Sequence, residues 1–364
     1  MLTTLVGLPL DDIDTPALLV DLPALDRNIA VMAEATASRG VGWRPHAKAH
    51  KSPAVAHRLL NAGALGVTCA KLGEAEVFAA SGVRDILIAN QVVGPIKARR
   101  LAALATYCDI MVATDSLDHA RQLDEAARDF DSHPRVVIEI DSGMTRAGVL
   151  PGEPAVALAK ELAAMTGIRF AGLMSWEGHT LGVTPLSARQ DAIRAAVSQV
   201  TATANAIRAA GIPVEVVSVG GTGTFLTSRE LEGVTEVQAG GGIWGDRFYR
   251  DLDVPVEPAL GVMVTVTSRP APNRIIVDAG RKTIDPSNVT PEVVGVEGVT
   301  GVALSAEHGT ISLTKPNETI RVGDRLVLHV GYSDQAIHLH ENLIVVRDGR
   351  VIALWPTLSR GKLQ

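Results

Sequence analysis

Eight residues, Arg44-Pro45-His46-Ala47-Lys48-Ala49-His50-Lys51, gather two lysines, two histidines and an arginine. A lysine that forms an imine must lose its proton first, and like charge from Arg44, His46, His50 and Lys51 favours the neutral amine at Lys48. The same run also reads as a solvated positive loop, and both readings stay open on the residues alone. Two glycine-rich runs, Gly220-Gly221-Thr222-Gly223-Thr224 and Gly240-Gly241-Gly242, offer backbone N–H groups to an anion such as a phosphate. Their bland reading is a pair of tightened loops. Further polar groups stand at Gln91, in Asp141-Ser142-Gly143-Met144-Thr145-Arg146-Ala147-Gly148, and in Glu177-Gly178-His179. Arg146 pairing with Asp141, and His179 as an ordinary hydrogen-bonded histidine, are the structural alternatives.

The elements that must position these groups follow from hydrophobic pattern. Trp43–His46, Gly66–Ala70, Asp85–Asn90, Asp109–Thr114, Val136–Ile140, Phe170–Trp176, Glu215–Val219 and Glu236–Ala239 are short apolar runs separated by helical segments. Eight such repeats predict a closed (β/α)8 TIM-type barrel, in which strand-end loops carry the chemistry, and the polar groups above all follow these runs. Ser52-Pro53 starts a helix with a capping serine that Gly63 closes, and Ala188–Ala210 forms a long helix stopped at Gly211-Ile212-Pro213. Beyond about residue 250 the texture changes to β-branched runs, Val262–Thr267, Arg274–Val277, Arg325–Val330 and Asn342–Arg347, with Gly-Asp and Asp-Gly turns. Ala17–Asp21 is a ninth early strand that belongs with them. The expected domains are therefore a barrel over 22–248 and a mainly β domain made of 1–21 plus 249–364.

The bulk properties narrow the partner. The 364 residues are 46% hydrophobic, with 34 basic and 40 acidic side chains interspersed to a net charge of -6. With no basic block, a nucleic-acid surface is not expected, and a small molecule is. No apolar run approaches the roughly 20 residues of a membrane span, and the start lacks the order of a signal peptide, so no membrane and a cytoplasmic location are expected. Cys69 and Cys108 are too few for a disulfide framework and are expected to be buried and reduced.

Taken together, Asp14-Thr15-Pro16-Ala17-Leu18-Leu19-Val20-Asp21, Arg44-Pro45-His46-Ala47-Lys48 and the strand-end motifs resemble the fold-type III pyridoxal-phosphate enzymes of the alanine racemase group. Within it they resemble the D-threonine aldolase and D-serine dehydratase family, and the likeness covers nearly the whole chain. It implies pyridoxal 5'-phosphate as cofactor and Lys48 as its Schiff-base lysine. Gly143 to Gly148 resembles the segment whose arginine, here Arg146, approaches the cofactor's phenolic oxygen. Trp176-Glu177-Gly178-His179 resembles a Tyr-Glu-Gly-His segment beside the ring. Ser218 with Gly221 and Thr222 is similar to one half of a phosphate cup, and Gln238 with Gly240, Gly241 and Gly242 to the other; Gln91 joins the cofactor-binding set. A neutral Gln238 toward the pyridine nitrogen leaves that nitrogen largely unprotonated, which favours reactions that need less carbanion stabilisation.

In the carboxyl-terminal part, Ala306-Glu307-His308-Gly309, Val322-Gly323-Asp324 and Leu339-His340-Glu341 match the family in order and spacing. The family's metal pair, His-x-Asp or His-x-Cys, corresponds here to Tyr332-Ser333-Asp334. Tyrosine is a poor ligand for Mn, Mg or Zn, which puts the metal in doubt. Asp334, His338 and His340, placed on one face of an apparent strand, are a regrouped metal site or ordinary residues. Tyr332 is alternatively a catalytic acid or base at the substrate hydroxyl. The resemblance implies a lyase of D-threonine aldolase type, cleaving a D-3-hydroxy amino acid to glycine and an aldehyde. The alternatives are a D-serine or D-3-hydroxyamino-acid dehydratase, an amino-acid racemase, and a non-catalytic cofactor carrier. A small D-amino acid is the expected partner and a homodimer the expected assembly. Trp176, Trp244 and Tyr332 depart from the family at places expected to line the pocket.

Overall fold

The computed structural model describes residues 5–364; residues 1–4, which the expected β domain includes, lie outside the described residues. The chain divides into two compact units. One comprises Met32–Lys48, Ala56–Gly240 and Gly361–Gln364, and the other the described residues up to Val31 together with Ala49–Val55 and Gly241–Arg360. The first strand, β1 (Ala17–Asp21), belongs to the second unit.

All eight expected barrel strands are present. They are β2 (Gly42–Trp43), β3 (Val67–Cys69), β4 (Asp85–Gln91), β5 (Asp109–Thr114), β6 (Arg135–Ile140), β7 (Arg169–Ser175), β8 (Val216–Val219) and β9 (Glu236–Val237). Every pairing is parallel, in the order β2-β9-β8-β7-β6-β5-β4-β3. The two ends of that order meet through a parallel bridge between His46 and Thr68 and through Leu65 N–H donating to the Trp43 carbonyl. Leu87, Met111, Ala113, Val137, Ala171, Met174 and Val216 fill one apolar cluster of this unit. Near-continuous Val, Ile and Leu along these strands is what burial on both faces demands.

Arg44 occupies the amino end of this barrel. Its guanidinium lies 2.9 Å from Glu236 and 2.7 Å from Asp85, the first residues of β9 and β4, and its side chain is only 3% exposed. Arg135, which opens β6, ties Asp85 to Asp109, which opens β5. Burying these charges is tolerable only because each has partners within hydrogen-bonding reach.

The helices fall where expected, over Pro53–Asn61 and Leu186–Ala209, each followed by a positive-φ glycine at Gly63 and Gly211. The expected Ser52 cap is not made. Its Oγ is buried without a partner, and its amide instead donates to His50 Nδ1 at 3.2 Å. Proline at the first helical position has no N–H, which leaves one donor fewer to cap.

In the second unit β1 pairs antiparallel with β10 (Leu260–Ala271) and parallel with β16 (Asn342–Arg347). β10 also pairs with β11 (Arg274–Val277) and β15 (Arg325–His329). Four strands lay outside the sequence expectation: β12 (Glu292–Val293), β13 (Val299–Leu304), β14 (Gly309–Leu313) and β17 (Arg350–Pro356). Asp348 and Gly349, both at positive φ, form the two-residue turn that joins β16 to β17. Ile13, Ala17, Leu19, Met263, Val346 and Val351 make an apolar cluster of this unit.

Residues 333–339 are helical rather than extended, as Ser333–Ala336 followed by a 3-10 turn at Ile337–Leu339. The buried positions Ser333, Ala336 and Ile337 recur at the three- and four-residue spacing of a helix, so that period overrides the strand expectation.

Glu236→Ala is expected to destabilise the protein by about 3–5 kcal/mol, because it leaves a buried guanidinium short of a partner. Glu215→Ala, which breaks an exposed pair with Arg169, should cost no more than about 1 kcal/mol. Denaturant unfolding of the two variants checks the contrast, and equal losses would contradict it.

Candidate active site

The lysine turn is anchored from both sides by backbone. The amides of Gly42, Arg44 and His46 donate to the carbonyls of Thr235, Val237 and Gln238, while the Trp43 and Pro45 carbonyls accept from Leu65 and Thr68. Trp43 Nε1 adds a bond of 2.7 Å to the Ala239 carbonyl. Lys48 follows on a 3-10 turn, Ala47–Ala49, with both alanines buried and its own side chain exposed. Gly240 packs backbone to backbone here. A Cβ at that position would lie 2.4 Å from the His46 carbonyl oxygen, so only glycine fits. Two of the four groups expected to crowd Lys48 with positive charge do not do so. Arg44 is committed to Glu236 and Asp85, and burial pushes the His50 pKa down to about 3, leaving that ring neutral.

Around the same strand ends Glu139, the fifth residue of β6 and 3% exposed, takes Gln91 Nε2 on one oxygen and Arg146 Nη2, at 3.3 Å, on the other. Arg146 therefore pairs with Glu139 and not with Asp141. Asp141 accepts the amides of Gly143 and Thr145 at 3.0 Å each, bonds that hold its carboxyl below the usual range. The His179 ring lies against Gly143, whose φ is +128°; a Cβ there would come 2.8 Å from His179 Nε2. Glu139 was not among the expected site residues. The signal was a carboxylate inside the otherwise apolar run Val136–Ile140, where an uncompensated charge is costly.

The glycine loop after β8 reverses the chain at Gly220, φ +74°, and closes through Thr224 and Phe225 amides donating to the Gly221 carbonyl. The Trp176 indole covers Gly221, with a Cβ there reaching 2.2 Å from the ring. Thr222 is buried in this loop, and Gln238 Nε2 donates to Ser218 Oγ at 3.0 Å. The amides of Gly221 and Gly223 donate no hydrogen bond among the described residues. An exposed primary amine, an arginine held by a buried carboxylate, and uncommitted loop amides together fit pyridoxal phosphate. Lys48 would hold its carbonyl carbon, Arg146 its phenolic oxygen and the loop its phosphate.

Gly241 and Gly242 open a 3-10 turn, Gly241–Trp244, in the second unit. Trp244, expected to line the pocket, is fully buried and donates to the Ala49 carbonyl at 2.7 Å. Asp246 accepts the amides of Tyr249 and Ser333, and burial raises its pKa to about 7. That clasp holds the turn carrying Tyr332, whose hydroxyl donates to Asp334 Oδ2 at 3.1 Å. Burial and the Asp334 charge both hold the Tyr332 phenol in its protonated form. Phe248 and Tyr249 pack on the Tyr332 ring at centroid distances of 5.0 and 6.0 Å.

The expected metal trio does not form. His340 Nε2 is engaged with the Thr283 carbonyl at 2.9 Å, and His338 Nδ1 with the backbone carbonyl of Asp334. Among the described residues no group of three or more His, Cys, Asp or Glu side chains could hold a metal ion. Asp334, His338 and His340 therefore do not fit one. Cys69 and Cys108 are buried free thiols, and no described helix is long and apolar enough to cross a membrane.

Comparison with known proteins places this geometry among relatives. Residues 20–248 match the alanine racemase N-terminal domain and residues 259–346 a putative serine dehydratase domain. A D-threonine aldolase of Arthrobacter sp is 35% identical over 359 residues, covering 98% of this chain and 95% of that protein. A D-threo-3-hydroxyaspartate dehydratase of Delftia sp. is 37% identical over 273 residues, covering 74% of this chain and 72% of that protein. The crystal structure of a D-threonine aldolase from Filomicrobium marinum superposes with a TM-score of 0.95 at 36% identity, covering 99% of this chain and 98% of that one.

His50 gives the site a pH signature. Its pKa falls from 6.5 to about 3 on folding, so the native state binds fewer protons than the unfolded chain between those values. The stability this represents, up to about 5 kcal/mol, is present above pH 6.5 and is lost as pH falls toward 3. Urea unfolding at several pH values should show a shallower acid decline in His50→Gln than in the parent chain. Parallel declines would contradict the buried neutral ring.

Proposed function

This chain belongs to the fold-type III pyridoxal-phosphate enzymes, with an alanine racemase N-terminal domain and a serine dehydratase-like domain. On that premise we propose that it is a lyase of D-threonine aldolase type, converting a D-3-hydroxy amino acid into glycine and an aldehyde. The observation that carries the reading is the ring of strand-end groups in one barrel: exposed Lys48, the Gln91–Glu139–Arg146 bridge, His179 and the glycine loop. Similarity to a D-threonine aldolase along nearly the full length supports the choice of reaction.

The family implies pyridoxal phosphate, which when bound supplies a sink for the electron pair left on Cα. The chain's own residues do the rest. Lys48 would provide the amine that anchors the cofactor, and Arg146, oriented by Glu139, would hold its phenolic oxygen. Cleavage requires that the β-hydroxyl give up its proton while the Cα–Cβ bond breaks and the aldehyde leaves. Tyr332 takes that proton as its own passes to Asp334 Oδ2, the acceptor 3.1 Å away. A phenol that stays protonated serves as such a relay, with the carboxylate as the ultimate base. Cα then gains a proton to give glycine. The proposed assembly is a homodimer and the proposed location the cytoplasm.

A dehydratase is the second reading, favoured by similarity to the D-threo-3-hydroxyaspartate dehydratase over three quarters of this chain. It uses the same lysine, with an acid aimed at the departing hydroxyl.

Purified protein loaded with pyridoxal phosphate and given D-threonine should release glycine and acetaldehyde. Release of 2-oxobutanoate and ammonia without glycine would assign the dehydratase instead. Tyr332→Phe is expected to lower kcat by about 10²–10⁴-fold with a small change in KM, and a chelator should leave the parent rate unchanged. Strong activation by an added divalent ion, with Tyr332→Phe still active, would move the proton step from Tyr332 to a metal.

A further inference from the structure

We propose that Glu177 is a positioning residue for the phosphate loop, fixing its amides from beneath; this rests on reading residues 220–224 as the phosphate site. Glu177 follows β7, is 1% exposed, and makes no ion pair among the described residues. A carboxyl buried without a cation is costly and persists where its oxygens are otherwise engaged. Oε1 accepts Ser228 Oγ at 2.5 Å, and Oε2 faces the Gly220 amide at 3.4 Å. The Ser228 amide donates to the Thr224 carbonyl at 3.0 Å, so one carboxyl holds the start of the loop directly and its end through Ser228.

The backbone of Glu177 is itself fixed, since Thr180 Oγ1 donates to its carbonyl at 2.7 Å. From the other side the Trp176 indole presses on Gly221, so adjacent residues of one segment grip the loop at two points. The Gly220 amide points at Glu177. The following amides of Gly221 and Gly223, which have no internal acceptor, are left for an anion. Glu177 acts through the loop and is not itself a contact of the cofactor's phosphate.

The test compares pyridoxal phosphate with pyridoxal, which lacks the phosphate, by equilibrium absorbance titration of the full chain without substrate. The parent protein should bind the phosphorylated form at least about 100-fold more tightly. Glu177→Gln, which keeps one acceptor oxygen but replaces the other with a donor, should weaken pyridoxal phosphate about tenfold and leave pyridoxal unchanged. Ser228→Ala should shift in the same direction, and the double variant should lose no more than Glu177→Gln alone. If Glu177→Gln does not fold, Ser228→Ala carries the comparison, since it removes a single hydroxyl. A parent protein that binds the two forms equally would overturn the phosphate-loop reading. A parent that discriminates, with variants that keep the full ratio, would overturn the role of Glu177 alone.

Discussion

Residues 42–46 are hydrogen-bonded along both edges, to the segment of β9 on one side and to the segment of β3 on the other. A strand so short has little stability of its own, and two-sided pairing is what holds it. The chemistry proposed here depends on that seam, because Lys48 leaves it after a single helical turn whose other two residues are buried. A backbone tied to neighbours on both sides places an amine far more reproducibly than a free loop does. The close approach of Gly240 to the His46 backbone belongs to the same constraint: any side chain there would push the lysine turn away from the run that follows β9.

The two ends of the barrel use charge in opposite ways. At the amino end Arg44, Asp85, Arg135, Asp109 and Glu236 neutralise one another as a structural network. At the carboxyl end two buried carboxylates stand behind polar groups: Glu139 behind Gln91 and Arg146, Glu177 behind the glycine loop. In the second unit Asp246 plays the same part for the turn bearing Tyr332 and Asp334. Rigid support of this kind is what preorganised catalysis requires, since a group that must first be ordered spends binding energy on its own placement.

Much of this was legible in the amino-acid order. The eight barrel runs announce themselves because strands buried on both faces must be apolar throughout, and their ends are marked by abrupt polar residues. The strand at Ala17–Asp21 and the turn at Asp348-Gly349 were equally plain. What pattern could not show was direction. Arg44 and Lys48 sit four residues apart in one basic run, yet one is buried against carboxylates at the amino end of the barrel and the other is exposed. The helical stretch over Ser333–Ala336 and Ile337–Leu339 is so short that its three- and four-residue spacing shows in the burial and not in the amino-acid order, where it passed for strand. Glu139 and Glu177 stood in plain view in the sequence, but the part each plays is recognised by its partners, which only the fold brings together.

In the proposed enzyme Lys48, and no other amine, carries the cofactor. Reductive trapping of the protein loaded with pyridoxal phosphate, followed by peptide mapping, tests it most directly. One stoichiometric phosphopyridoxyl adduct is expected, on Lys48. An adduct chiefly on Lys51 or Lys71, or unchanged trapping in Lys48→Ala, would contradict it.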